Sequence, residues 1–362
     1  MDVLFEEKNH KKHKDEVKQI YDEIFNDKDT FVAYYFKEKY ESNYMILAKE
    51  KGRVVGTMHC NPFSMSLFGE EIISWYVVAV AVKQEYRRRG YMRAMMELGI
   101  KKAYEKKLPF IFLMPANTKY YTPFGFVEGE DYIPYTIKGK QESIKKVQGI
   151  EGILYQGKEK EEIVSFAKEI LKAYKLYTTR SIEYYNLLEK EVQSEEGNIC
   201  GIRKNQKLIG VFHYAKEESN IVVRELLTKQ ENLEECITWI SHSFPGKNIT
   251  LWLGKEQGKD KQEKSLLMFR LVYYEKILEK IKSESPFSVV INITDDIILE
   301  NNRILKLTVG KNGTKVEETN EMWEQKVTIG ELTAWVFGQK ELFKEDKKKI
   351  SLPILSYIHE VV

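Results

Sequence analysis

The stretch Val77–Arg93 (VVAVAVKQEYRRRGYMR) constrains this chain more than any other part of it. Val77–Val82 contains only valine and alanine, the composition of a buried strand. Gly90 then opens a segment reaching Lys106, with Met92, Met95, Met96, Leu98 and Ile100 as its apolar positions, a helical pattern. Arg87, Arg88 and Arg89 fall at the junction. A strand feeding a helix through such a turn is an α/β element with chemistry at the turn. The helix start offers unpaired backbone N–H groups and the positive end of its dipole. A glycine lets the backbone approach a ligand with no Cβ in between, and arginines add charge and forked donors. Together these suit a pyrophosphate. A bare Arg-Arg-Arg-Gly is more often a solvated surface turn; the strand before it and the helix after it favour the anion site.

The flanking pattern is mixed α/β as well. Lys14–Phe25 is helical, with Val17, Ile20, Tyr21 and Ile24 spaced along it, and Phe31–Tyr40 reads as a second short helix. Strands are expected at Tyr44–Ala48, Arg53–His59 and Ile72–Val82, separated by turns at Lys51-Gly52 and Gly69-Glu70. Pro109–Met114 is a short apolar strand, and Tyr120–Phe126 a loop before a last strand pair ending near Gly139. A second α/β segment starts near Gln148, with helices over Glu161–Tyr177 and Ile182–Glu191 and strands over Asn198–Arg203, Lys207–Tyr214 and Ile221–Leu227. Lys51–His59 (KGRVVGTMH) and Asn205–His213 (NQKLIGVFH) share a pattern and each follow two helices, which points to an internal repeat. Chance likeness of two hairpins is the alternative, and the later copy has no Arg-Arg-Arg-Gly. After the polar Gly254–Lys264, a third segment reads as a helix over Ser265–Lys282, strands over Phe287–Ile293 and Arg303–Val309, a turn at Lys311–Thr314, a further strand and a helix over Ile329–Phe337. The expected domains are 1–145, 146–262 and 263–362.

Charge excludes partners rather than naming them. Lys+Arg of 57 against Asp+Glu of 55 leaves +2, which supports neither a nucleic-acid nor a membrane partner. Cys60, Cys200 and Cys236 are scattered and odd in number, so neither a disulfide framework nor a zinc site is expected. No run approaches the roughly 20 apolar residues that span a bilayer, and residues 1–16 carry charges where a signal peptide needs an apolar core. The expectation is a cytoplasmic protein without a metal.

Arg87, Gly90 and the alternating Val80 and Val82 resemble motif A of the GNAT superfamily of N-acetyltransferases, Arg/Gln-x-x-Gly-x-Gly/Ala; Met92 departs from it. With Arg93 and Tyr121-Thr-Pro-Phe-Gly-Phe126, the pattern looks like the enhanced-intracellular-survival (Eis-like) acetyltransferases. The resemblance implies a catalytic GNAT domain, a degenerate second GNAT copy, and a C-terminal α+β domain similar to sterol carrier protein. Met268–Val272 and Ser288–Asp295 resemble the start of that last domain. It also implies acetyl-CoA as cosubstrate, no metal, a small-molecule amine acceptor (aminoglycoside, polyamine or lysine-like), and a homo-oligomer, hexameric by family habit. Arg87, Arg88, Arg89, Gly90, Tyr91, Met92 and Arg93 would hold the pyrophosphate. Val80, Ala81 and Val82 would align the pantetheine as an added strand would pair, and Ala116 and Asn117 would also meet the cofactor.

Acyl transfer to an amine needs a neutral nucleophile, oxyanion stabilisation and a proton for the departing thiolate. The resemblance makes Tyr121 the general acid; an ordinary tyrosine, pKa about 10, is protonated at neutral pH. Tyr120 lies one place off the motif. The resemblance makes the terminal carboxylate, here that of Val362, the general base. Ser351–Val362 is apolar after the charged Lys344–Lys349, so burial is expected there, and burial raises a carboxylate's pKa. His359 and Glu360 are alternative bases. His59 and His213 read as core or edge residues, and Phe31, Tyr34, Tyr35 and Phe36 as core before acceptor pocket. Two other functions remain open: a tandem-domain transferase using aminoacyl-tRNA, which a nearly neutral chain fits poorly, and a non-catalytic binder of CoA or an apolar ligand.

Overall fold

The structure is a computed structural model that describes residues 2–6, 10–129, 131–139, 149–155, 160–254, 264–337, 354 and 356–360. The chain begins β1 (Asp2–Glu6), α1 (Lys14–Ile24), α2 (Asp29–Tyr34), a π-helical turn (Tyr35–Lys39), β2 (Tyr44–Glu50), β3 (Arg53–Leu67), β4 (Glu70–Val82), α3 (Tyr91–Glu105), β5 (Phe110–Leu113) and β6 (Val127–Glu128). It continues β7 (Asp131–Ile137), β8 (Ile150–Leu154), α4 (Lys160–Leu171), β9 (Leu176–Thr178), α5 (Ile182–Ser194), β10 (Asn198–Lys204), β11 (Lys207–Glu217), β12 (Asn220–Thr228), α6 (Leu233–Ser243) and β13 (Ile249–Gly254). The last part holds β14 (Lys264–Ser265), β15 (Met268–Leu271), α7 (Glu275–Leu278), β16 (Phe287–Thr294), β17 (Ile304–Gly310), β18 (Gly313–Glu318), β19 (Gln325–Thr328), α8 (Ile329–Val336) and β20 (Ser356–Tyr357). Among the described residues no helix is long and apolar enough to cross a membrane.

Side-chain alternation along the strands sorts the first core into two faces. Met45, Leu47 and Val54 meet Val17, Ile20 and Tyr21 of α1 on one side. Ile46, Val55 and Met58 meet Met95, Met96 and Ile100 of α3 on the other. A Cβ on Gly99 would lie 2.7 Å from the Met58 methyl, so α3 lies directly on the sheet.

The first sheet runs β1-β2-β3-β4-β5-β15-β6, with β9 on β3 and β20 on β9; the second runs β14-β7-β13-β12-β11-β10-β8. Chain order and sheet membership part company here. The expected boundaries at 145 and 262 do not separate the sheets, because β7 precedes the first and pairs into sheet two, while β15 follows the second and pairs into sheet one. The strand pair expected to close the first unit near Gly139 is therefore divided between sheets. Val127 faces Phe269, Glu128 faces Met268, Asp131 faces Ser265 and Tyr132 faces Lys264, the same antiparallel register in both ladders. This ribbon ties the two sheets together.

The helix expected over Ser265–Lys282 is instead β15 followed by the single turn α7. Leu266–Val272 is buried at every position, and a run buried on all sides has no period to separate helix from strand. The helix expected to reach Tyr177 stops at Leu171, leaving Leu176–Thr178 to pair with β3.

The repeat is reproduced in the hairpins. Ala48 faces Gly56 and Lys49 faces Val54, skipping Val55; Ile202 faces Gly210 and Arg203 faces Leu208, skipping Ile209. The same bulge sits at the same place in both copies. A third sheet, β18-β17-β16-β19, packs with α8 against Phe110, Phe112 and Phe269 of the first.

Candidate active site

β4 and β5 run parallel through Trp75–Ile111, Tyr76–Phe112 and Val77–Leu113, and there β5 ends its pairing. β4 continues to Val82, bent by a register shift between Thr57 and His59 where Ala79 takes φ +50°. Among the described residues the Val78–Val82 edge is thus left without a strand neighbour on the β5 side, which places Val80, Ala81 and Val82 along a gap of the kind an extended amide-bearing ligand can fill.

Beyond β4, a single 3-10 turn (Gln84–Tyr86) leads to Arg87–Gly90. Arg88 (φ +62°) and Gly90 (φ +84°) both adopt the left-handed region, and such alternation turns successive backbone N–H groups toward one point. Gly90 is the N-cap of α3, whose first turn carries no acidic residue. The arginines divide their work. Arg87 Nε donates to the Val82 carbonyl (3.0 Å) and Arg89 Nη2 to the Glu85 carbonyl (2.8 Å), so both brace the turn. Arg88 is exposed and makes no hydrogen bond among the described residues. Arg93 sits 3.5 Å from Glu97 and over the Phe124 ring, and Tyr91 donates to Glu50 at 2.8 Å. The convergent N–H groups, the surplus positive charge and the open strand edge fit a pyrophosphate joined to a pantetheine arm.

Tyr121 lies in the loop after β5, on the α3 face, clustered with Trp75, Val77 and Leu113 at the point where the strands part. It is 7% exposed and edge-on to Phe126. Burial, reinforced by Tyr120, pushes its hydroxyl up to about 12, so it carries its proton throughout the neutral range. Ala116 and Asn117 are exposed just upstream, and the Asn117 side chain accepts from the Lys119 N–H at 3.0 Å.

The loop is held from the third segment. Arg270, wholly buried, donates from Nε to the Phe124 carbonyl (2.6 Å) and from Nη2 to both oxygens of Asp295 (2.8 and 3.0 Å). Gly125 has φ +80°, and a Cβ there would meet Ile329 Cγ2 at 2.9 Å. No sequence pattern flagged Arg270; a lone arginine inside an apolar run was the available signal.

A cavity of about 250 Å³ lies against β3, β9 and α5. Asn61 in its wall faces Tyr76, one residue before the strands part, and shares the sheet face of His59 and Phe63 rather than that of Tyr121. Asn61 Nδ2 and Thr178 Oγ1 are buried without a hydrogen-bond partner among the described residues, unlike the great majority of buried polar groups. The π-helical turn brings Lys39 to Glu191 at 3.1 Å, and Tyr34 donates to the same carboxylate at 3.0 Å. Glu360 closes another wall, bonded to Arg180 (2.8 Å) and to the Tyr184 hydroxyl (3.2 Å).

Of the expected bases, Val362 lies outside the described residues. Glu360 lines the cavity, and His359 does not. Burial depresses His359 to about 3, and its Nδ1 donates to the Arg224 carbonyl at 3.0 Å. His59 is a core residue, its Nδ1 2.7 Å from the Tyr35 hydroxyl, and Phe31, Tyr34, Tyr35 and Phe36 are core rather than cavity lining.

Residues 8–128 match the family model described as an acetyltransferase (GNAT) domain. No curated protein matches the sequence. A conserved protein of unknown function from Enterococcus faecalis V583, described as a probable N-acyltransferase, shares the fold with a TM-score of 0.78 at 17% identity, over 94% of this chain and 91% of that one. A GCN5-related N-acetyltransferase from Kribbella flavida gives 0.73 at 16%, over 93% and 90%. Eis1 from Mycobacterium abscessus gives 0.68 at 14%, over 92% and 88%.

Proposed function

We propose that this N-acetyltransferase takes its acetyl group from acetyl-CoA and passes it directly to a primary amine held in the Asn61–Glu360 cavity. One observation carries the reading. The gap beyond Val77–Leu113 has a turn of left-handed Arg88 and Gly90 leading into a helix start at one end, a protonated tyrosine on one sheet face and a polar cavity beside it on the other.

The backbone N–H groups of Arg88–Gly90 and the start of α3 receive the pyrophosphate, with Arg88 and Arg93 adding charge. Val80–Val82 align the pantetheine amides. Tyr121, held in its protonated form by burial, donates to the leaving thiolate sulfur. The cavity carries Glu183, Glu191 and Glu360 against Lys39, a surplus of carboxylate that favours a cationic acceptor. The Val362 carboxylate, two residues beyond Glu360, is the base of this reading and takes the amine proton as the N–C bond forms. Aminoglycosides, polyamines and lysine-like amines are the first acceptors to try, and the Eis-like reading, with β16–β19 and α8 as a sterol-carrier-like unit, belongs to the same proposal.

The test is thiol release from acetyl-CoA against an amine panel, followed by removal of Val361 and Val362. Turnover is expected to vanish in the shortened chain while acetyl-CoA binding by titration calorimetry persists. Full turnover without those residues would remove Val362 from the mechanism, and binding without thiol release for any amine would leave a sensor.

A further inference from the structure

The second sheet parts at the same place as the first. β12 and β13 pair through Ile221–Ile249, Val222–Thr250 and Val223–Leu251, after which β12 runs on to Thr228 without β13. Cys60 faces Val77 and Tyr214 faces Val223; Gly56 faces Val82 and Gly210 faces Thr228. Val223–Thr228 therefore corresponds to Val77–Val82, the edge assigned to pantetheine, and each strand carries one extra residue over its partner. The free edge is apolar in the first copy, but in the second it opens on Arg224 and Glu225.

That second gap is held by the chain itself. His359 Nδ1 donates to the carbonyl of Arg224, the first residue past the last strand pair (3.0 Å). From the opposite bank, Tyr132 of β7, which pairs with Gly254 of β13, donates to the Ile358 carbonyl. Arg180 links the segment to the β12 edge, donating 2.6 Å to Glu225 of that edge and 2.8 Å to Glu360 of the cavity wall. Tyr357, Ile358, His359 and Glu360 are all buried.

We propose that the gap in the second sheet is a socket for the chain's own Tyr357–Glu360 segment in place of a second cofactor, and that Arg180 is the positioning residue fixing Glu360 at the acceptor cavity. The second copy thereby sets the path of the chain toward the first copy's chemistry. Its junction agrees: the turn Gln230–Asn232 runs straight into α6 at Leu233, with nothing in place of Arg87–Gly90, and the first turn of α6 is acidic at Glu234 and Glu235.

The kinetic arm of the test rests on the acetyl-transfer reading and the stoichiometry arm on its cofactor; the exchange arm rests on neither. Calorimetry with acetyl-CoA on the full chain should give one site per chain, and two sites would overturn the socket. Hydrogen exchange should show amides 356–360 protected in the native chain and exchanging roughly tenfold faster or more in Arg180→Met, with β2–β4 unchanged. Unaltered exchange would overturn the role of Arg180. In kinetics, Arg180→Met should lower kcat by about 10–100-fold, the range of residues acting through another group. KM for acetyl-CoA should stay within about twofold, the acid limb of the kcat–pH profile should move, and Arg180→Lys should restore part of the loss. A rise in that KM matching the fall in kcat would instead make Arg180 a fold residue. Should Arg180→Met fail to fold, Arg180→Met/Glu225→Gln removes one of the two stranded carboxylates, leaves Glu360 bonded to Tyr184, and carries the same readouts. If the native chain releases no thiol with any amine, the transfer reading fails while exchange still decides the socket.

Discussion

The two copies of the hairpin-and-gap unit differ most where a cofactor would matter. Both share the bulged hairpin and the parting of two parallel strands. In the first, the 3-10 turn Gln84–Tyr86 is followed by Arg87–Gly90 and a helix start free of acid; in the second, Gln230–Asn232 leads directly into an acidic helix. Four residues separate the proposed anion-binding turn from a plain connection. The fold supplies the gap, and the turn decides what the gap can hold.

Removing that difference gives the largest expected effect. Deleting Arg87–Gly90, so that the first copy's turn enters its helix as the second's does, should weaken acetyl-CoA binding by about 100-fold or more, since charge-assisted bonds and the helix-start donors go together. Calorimetry reads it directly. Binding retained within tenfold would show that the strand edge, common to both copies, is the true cofactor determinant.

Next in size is the proton donor proposed for one copy only. Tyr121→Phe keeps the ring against Phe126 and removes the hydroxyl, so kcat should fall by about 10²–10⁴-fold with acetyl-CoA affinity nearly unchanged. Because the hydroxyl titrates near 12, the native enzyme should show no loss of kcat attributable to this group as pH rises to 10.

How much of this contrast was legible in the sequence depends on the range of the interaction. Gly90 and the Val/Ala strand announce themselves through local pattern, and the repeat shows because Gly56 and Gly210 sit alike in two similar hairpins. The ribbon joining β6–β7 to β14–β15 was not legible, since its partners lie more than a hundred residues apart and Leu266–Val272 has no period. Arg180 and Arg270 were equally silent. Each is a single buried charge whose meaning lies wholly in Glu225 and Glu360, or in Asp295 and the Phe124 carbonyl. The apolar character of the tail predicts the burial that Tyr357–Glu360 show; nothing in it points to the second copy.

Those two arginines compare the copies at the level of stability. Arg270→Met strands Asp295 inside the protein, and breaking a buried pair in this way costs about 3–5 kcal/mol. Thermal melting should register it, together with a loss of kcat as the Tyr121 loop is released. Asp295 also accepts from Asn301 Nδ2 and from two backbone N–H groups, so Arg270→Met/Asp295→Asn should recover part of the stability without restoring the grip on Phe124. Equal activity in the two variants would show that the grip, rather than the stranded charge, sets the kinetic loss.

The smallest effect separates the copies by pH. His59 and His213 occupy the same hairpin position, but His59 meets a tyrosine hydroxyl while His213 lies 3.7 Å from Glu225 and, with His359, sits beside the second gap. Burial lowers His359 to about 3 and His213 well below its ordinary value. Above pH 6.5 both are neutral in the folded and unfolded chain, and stability is at its full value. As pH falls below that, the unfolded chain takes up protons that the folded one refuses, so stability declines. The slope is at most about 1.4 kcal/mol per pH unit for each histidine, or about 2 kcal/mol per residue between pH 6.5 and 5. His359→Gln keeps a side-chain N–H donor for the Arg224 carbonyl and removes one titration, so melting temperature should fall less steeply over that interval. Hydrogen exchange localises the change: in the native chain, amides 356–360 should lose protection on acidification before those of β2 and β3. An unchanged slope in His359→Gln, or simultaneous loss in both copies, would mean that acid acts on the fold as a whole and that the socket is no weaker than the hairpin it resembles.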